Sequence, residues 1–127
     1  MKTQYTVMLS LLAGVAAGGF AVQALHAQTK PPGILVAEHE VHDPQTMGMY
    51  AAAVPATLEP FGGRFLVRPG KITTLQGEPP KGPFVVLAFD SVEKAQAWLG
   101  SPAYQAIAPI RQKAANSRVI LVEGVPN

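Results

Sequence analysis

The side chains with the greatest chemical capacity in this sequence are Glu38, Arg64, Arg68, Tyr104 and Arg111, with His39 and His42 close to the first of them. Glu38 shares strand parity with Ile34 and Val36, so its carboxylate falls among apolar neighbours. A carboxylate placed there is partly desolvated, which suits it to act as a general base or a ligand anchor. The same placement suits an ion pair with Arg64 or Arg68 that fixes strand register or a dimer, because buried charges ordinarily come in pairs. Arg64 and Arg68 share one strand face with Leu66, so that two guanidinium groups could converge on an anionic ligand. Gly62-Gly63 ahead of them permits a close backbone approach. That pair is not a phosphate loop, since it lacks both the glycine spacing and the Lys-Ser/Thr ending. Tyr104 and Arg111, seven apart on a helix, share a face.

His39 and His42 have the look of a metal pair but not the geometry. Three residues apart on a strand, they point to opposite faces and stand roughly 10 Å from each other. The chain has no cysteine, so thiolate metal sites, disulfides and thiol nucleophiles are excluded. No metal and no cofactor is expected. His39, on the parity of Leu35 and Ala37, reads as a hydrogen-bonded core or edge histidine, and His42 as a solvated strand end. Ser101 reads as a helix cap, since no Gly-x-Ser-x-Gly elbow surrounds it.

These residues must be positioned by a small set of elements. Phe84 to Phe89 is a continuous apolar run, short enough for a central strand covered on both faces. Ser91 caps a helix with Val92, Ala95 and Trp98/Leu99 at helical spacing; Gly100 interrupts it, and Ser101-Pro102 restarts it to about Ala115. Upstream, Ile34 to His42 alternates as a first strand. Asp43-Pro44 then opens a helix whose stripe is Met47, Tyr50, Ala51, Val54 and Leu58. Pro55 falls inside that helix, where it removes a hydrogen bond, and Gly62-Gly63 stops it. Arg64 to Arg68 is a second strand, expected to continue through Lys71 to Gln76 with a bulge at Gly70. Arg118 to Glu123 is the last strand.

The order is β-α-β-β-α-β, an α+β, ferredoxin-like arrangement with an antiparallel sheet. Two helices cover one face of four strands, yet Phe84–Phe89 and Val119–Val122 are apolar on both faces. The open face therefore calls for a partner, most simply the same sheet of a second copy packed face to face. The expectation is a homodimer whose two sheets enclose a common interior.

The 127 residues hold one small domain preceded by a leader. Lys2 forms a short positive start, Val7 to Val22 is apolar or small, and Leu25-His26-Ala27 suits signal peptidase. The expected division is a signal peptide at 1–27, a tether at 28–33 and the domain at 34–125, with cleavage after Ala27. The rival reading is a retained anchor, since no charge intervenes between Lys2 and Lys30. A bacterial periplasmic or secreted protein is expected, free of the membrane once the leader is removed. Ten Lys and Arg against eight Asp and Glu give a net charge of +2, scattered along the chain; that distribution excludes a nucleic-acid footprint.

Laid out in this way, the chain resembles the family catalogued as domain of unknown function 1330, within the dimeric α+β barrel superfamily. The resemblance is carried by Val36-Ala37-Glu38, Asp43, Tyr50, the run Phe61-Gly62-Gly63-Arg64-Phe65-Leu66-Val67-Arg68, and Gly77. It continues through Phe89, Ser91, Ala95, Trp98, Ser101-Pro102, Tyr104, Arg111 and Val122-Glu123-Gly124. It implies the fold and the dimer, and no assigned activity. Ala88 stands where the family pattern often has Glu, and His39 where it often has an apolar residue, so acid–base chemistry resting on two carboxylates is not expected.

The function expected is that of an exported homodimeric domain binding a small molecule between the paired sheets, with Glu38, Arg64, Arg68, Tyr104 and Arg111 as candidate ligand contacts and Glu38 as candidate catalytic group. The alternative is a cofactor-independent monooxygenase- or isomerase-like enzyme using the barrel interior. A purely structural dimer is the third class.

Overall fold

The computed structural model describes residues 30–126, in which Pro31–Pro126 form one compact unit. The leader and its cleavage site after Ala27 lie outside the described residues. In chain order the elements are β1 (Gly33–Val41), α1 (Pro44–Leu58), a 3-10 turn (Glu59–Phe61), β2 (Arg64–Val67), β3 (Phe84–Phe89), α2 (Val92–Leu99), α3 (Pro102–Ala114) and β4 (Ala115–Glu123). The strands form one antiparallel sheet in the order β2-β3-β1-β4, the ferredoxin-like arrangement, with its second helix broken in two. Among the described residues no helix is long and apolar enough to cross a membrane.

Alternation along β1 divides the sheet into two different faces. Leu35, Ala37 and His39 are buried, whereas Ile34, Val36 and Glu38 are only half-buried. Leu35 and Ala37 join Tyr50, Val54 and Leu58 of α1, Leu87 and Phe89 of β3, Ala95 and Trp98 of α2, and Tyr104 and Ala108 of α3 in one core. On the other face, Val36 is paired with Val86 and Ile120. Val67, Ile120 and Val122 are each about half exposed. Apolar surface without a covering layer is the pattern of a sheet built to meet another surface.

Each helix begins on the cap that the sequence supplies. Asp43 accepts from the backbone and hydroxyl of Thr46, which holds its carboxyl below the usual range. Ser91 accepts from Lys94 N. Ser101 accepts from Tyr104 N and donates to Trp98 O, joining the end of α2 to the start of α3. α1 runs through Pro55 to Leu58. Gly62 then takes a left-handed φ of 67°, and a Cβ on Gly63 would meet Leu58 Cδ2 and Phe89 Cε1 at 2.7 Å. The glycine pair therefore lets the chain turn and pass close over the core.

Two features of the middle of the chain depart from expectation. The register slips between Phe65 and Val67, so the irregularity lies at Leu66 and not at Gly70. Lys71 to Gln76 is not a strand; every residue from Arg68 to Pro79 is exposed. Pro69 lacks the N–H that would carry the ladder past β2. Ile72, Thr73 and Thr74 have strand-forming side chains but no neighbouring strand to pair with.

Candidate functional site

The core is not filled under α1. A cavity of about 240 Å³ lies between the covered face of the sheet and the helices. Ala37, Val85 and Val119, paired across three adjacent strands, line one side of it. Tyr50 and Val54 from α1 and Trp98 from α2 contribute to the other. Small side chains shape it: Ala37 on the strand and Val54 on the helix stand on its walls, and the exposed Ala51 and Pro55 at its rim. A cavity of about 150 Å³ holds benzene, so this one has room for a substituted or fused ring.

Polar groups enter the cavity at a few points. Tyr50 and Tyr104 hydroxyls lie 3.2 Å apart, with their rings edge to face at 6.5 Å. Burial and this hydrogen bond push the Tyr50 pKa upward, so Tyr50 is a hydrogen-bond donor at any ordinary pH. Two hydroxyls carry two hydrogens and use one between them, which leaves the other free to donate. The Trp98 ring packs, tilted, at 4.2 Å from that of Tyr104 and 5.6 Å from that of Phe89, and its indole N–H donates to Thr57 Oγ1 at 3.0 Å. Thr57 passes the bond on to Val54 O at 2.7 Å. The aromatic wall is thus fixed by a hydrogen-bonded chain reaching into α1.

His39 also lines the cavity. Its Nδ1 lies 2.7 Å from Ser117 Oγ on β4. Burial, with a contribution from the Arg111 charge, lowers its pKa, so the ring is neutral near pH 7. Arg68 lines the cavity too, with its guanidinium 4.2 Å from the centre of the Phe65 ring. Arg111 places its guanidinium 5.9 Å from the centre of the Tyr50 ring. Its Nε is buried and donates to no described residue.

The structure thus separates the residues singled out in the sequence. Arg68 and Tyr104 meet at the cavity, and Arg111 stands beside it. Glu38 is on the other side of the sheet, bonded to Arg118 Nη2 at 3.2 Å and Lys81 N at 3.2 Å, where it borders open grooves. The expected partners Arg64 and Arg68 are out of position because β3 separates β2 from β1, while β4 pairs directly with it. Arg64 instead reaches Asp90 at 3.4 Å on the surface. The slip at Leu66 removes the shared parity of Arg64 and Arg68, so the two guanidinium groups do not converge. The cavity also lies on the helix side of the sheet, opposite to the face on which a ligand was expected.

Two cavity residues, His39 and Tyr50, were legible in the sequence only as core. Their signal was placement: each is a polar-tipped side chain on the core-facing register of its element, His39 two residues from Ala37 on β1 and Tyr50 beside Ala51 on α1. Among the described residues no cluster of His, Asp or Glu is arranged to hold a metal ion.

Comparison with solved structures places the architecture among known folds. The chain is similar to a protein of unknown function from Rhodopseudomonas palustris, with 16% identity, a TM-score of 0.62, and coverage of 83% of this chain and 92% of that one. It is similar to SnoaB, a cofactor-independent oxygenase from Streptomyces nogalater, at 15% identity and a TM-score of 0.52 over 76% of this chain and 96% of that one. A dimeric ferredoxin-like protein of unknown function from Thermobifida fusca matches at 14% identity and a TM-score of 0.52, over 74% and 92% of the two chains. At these identities the likeness is one of fold. No curated protein matches the chain. The family described as Domain of unknown function (DUF1330) matches residues 32–125, and the chain belongs to that family.

Proposed function

We propose that this protein is a homodimer that binds a small, planar, largely apolar molecule in the cavity between its sheet and α1. The cavity itself carries the reading. About 240 Å³ of space beside Trp98 and Tyr104, with a spare Tyr hydroxyl hydrogen and Arg68 at the wall, matches the usual recipe of an apolar pocket with a few fixed polar groups. The dimer reading rests on the open sheet face, where Val36, Val86, Ile120 and Val122 lie together, and is supported by dimeric proteins of the same fold. Export to the periplasm or beyond rests on the leader sequence, with Lys2, the apolar run and Ala27 as its marks.

Trp98 is the only tryptophan in the chain and lines the cavity, so its fluorescence reports occupancy. Titration with 4-nitrotoluene, a contact quencher of indole, is expected to give saturable quenching. Ala37→Leu, which extends a side chain into the space, is expected to weaken that binding at least tenfold while circular dichroism stays unchanged. Unsaturable quenching, equal in both proteins, contradicts the reading. The dimer has its own check: light scattering is expected to give twice the chain mass, and Val86→Asp to give monomer or insoluble protein.

A second reading, enzymatic use of the same cavity without a cofactor, is favoured by one observation: a titratable ring, His39, lines it.

A further inference from the structure

His39 is the one imidazole lining the cavity, and its two nitrogens have different surroundings. Nδ1 is engaged by Ser117 Oγ at 2.7 Å. Nε2 has no hydrogen-bond partner among the described residues, yet Arg111 Nε is the only buried, unpartnered side-chain atom among them. Nε2 is therefore open to the space that the ring borders. A ring held through one nitrogen and open through the other is the arrangement of an oriented general base.

We propose that His39 Nε2 is a proton acceptor for the cavity's occupant, with Ser117 as its positioning residue. The class of substrate is a small planar molecule with an acidic C–H or O–H, such as a phenol or an activated carbon acid. This deepens the cavity reading and rests on it. The competent tautomer carries its hydrogen on Nδ1 and donates it to Ser117 Oγ, leaving the Nε2 lone pair directed at the ligand. The negative charge that develops as the proton departs meets the spare hydrogen of the Tyr50–Tyr104 pair. Arg68 supplies positive charge at the cavity wall. Burial and Arg111 keep the ring unprotonated at neutral pH, the state a base requires. No metal, oxidant or second substrate is needed for this step.

The sequence explains why such a site stands here. His39 occupies the register of Leu35 and Ala37, which faces the core, and Ser117 is its direct partner across β1 and β4. A histidine buried for packing alone would gain nothing from an open nitrogen on an apolar cavity.

The test uses 5-nitrobenzisoxazole, whose ring opening needs only a base. The base removes the C3 proton, the C–H electron pair forms the third C–N bond of a nitrile, and the N–O bond breaks with its electrons remaining on oxygen. The product, 2-cyano-4-nitrophenolate, is followed by its absorbance, and the histidine returns its proton to water. The wild-type protein is expected to give saturable catalysis at neutral pH. His39→Gln is expected to lose at least tenfold in kcat while 4-nitrotoluene still quenches Trp98. Ser117→Ala is expected to lower kcat at least threefold with KM unchanged, a split that loss of packing alone would not give.

A wild-type rate equal to that of His39→Gln, with 4-nitrotoluene bound by both, overturns the proposal and leaves the cavity reading standing. Absence of saturable quenching in the wild type overturns both. Should His39→Gln fail to fold, Ser117→Ala decides the matter, and an unchanged kcat in that variant overturns the proposal.

Discussion

Glu38 and Arg118 stand directly opposite each other on adjacent antiparallel strands, and Arg118 Nη2 donates to Glu38 Oε2 at 3.2 Å. The two ends of the pair differ in environment: the Glu38 side chain is 16% exposed and that of Arg118 is 72% exposed. Glu38 also accepts from Lys81 N, so it ties β4 and the loop before β3 to β1. These bonds lie on the open face of the sheet, opposite the cavity.

Glu38→Gln is accordingly expected to cost little. Gln retains an oxygen for Lys81 N, and Arg118 keeps access to water. Cross-strand and exposed ion pairs are worth about 0.2–1 kcal/mol, so urea unfolding should show a loss below about 1 kcal/mol. The difference should shrink further in high salt. A loss of about 3 kcal/mol or more would mean that the guanidinium is stranded without water, as in a fully buried pair.

Thr57→Val should cost more, although it too exchanges a single heavy atom. Thr57 Oγ1 accepts from the indole N–H of Trp98, a residue only 1% exposed, and the methyl that replaces it cannot. A buried donor left unpartnered costs about 1–3 kcal/mol. Chemical denaturation should show that loss. The 4-nitrotoluene affinity should fall with it, because the indole that walls the cavity is no longer held.

The fold was readable from the sequence wherever local chemistry and periodicity agreed. Ile34/Val36/Glu38 against Leu35/Ala37/His39 gave the two faces of β1, and the half-buried and buried sets fall on those two registers. Asp43-Pro44, Ser91 and Ser101-Pro102 marked the three helix starts, and all three side chains make the capping bonds. Those signals lie within a few residues of the feature they predict. The slip at Leu66 and the unpaired Lys71–Gln76 stretch were not readable, because pairing depends on what stands beside a strand and not on its own side chains. The partner of Glu38 followed from strand order, which puts β4 and not β2 next to β1. The cavity was hidden for a related reason. Ala37 and Val54 are ordinary where they stand in sequence, and only the packing of α1 over the sheet puts them on the walls of one space.

Acid should destabilise the protein through His39. Burial and Arg111 hold its folded pKa below the ordinary value of 6.5, so the unfolded chain takes up that proton first as pH falls. Where the unfolded state binds more protons, stability rises with pH. Stability should therefore decline as pH drops below about 6.5 and continue to fall until the folded ring is itself protonated. Asp43, whose bonds with Thr46 lower its carboxyl pKa, contributes only in the more acid carboxylate range. Urea melts between about pH 7 and about pH 5 should show the decline in the wild type. A clear flattening is expected in His39→Gln; equal slopes in the two proteins would remove His39 as the cause.

In the proposed binding mode the ligand space lies between the sheet and α1, on the Trp98 side, and not on the open face between two sheets. Crystals soaked in 4-iodophenol and measured for the anomalous signal of iodine locate the probe without reference to its affinity. An iodine peak is expected inside the cavity, bordered by Ala37, Trp98 and Tyr104. A peak on the open face near Val36 and Val86, with the cavity empty, would contradict this binding mode.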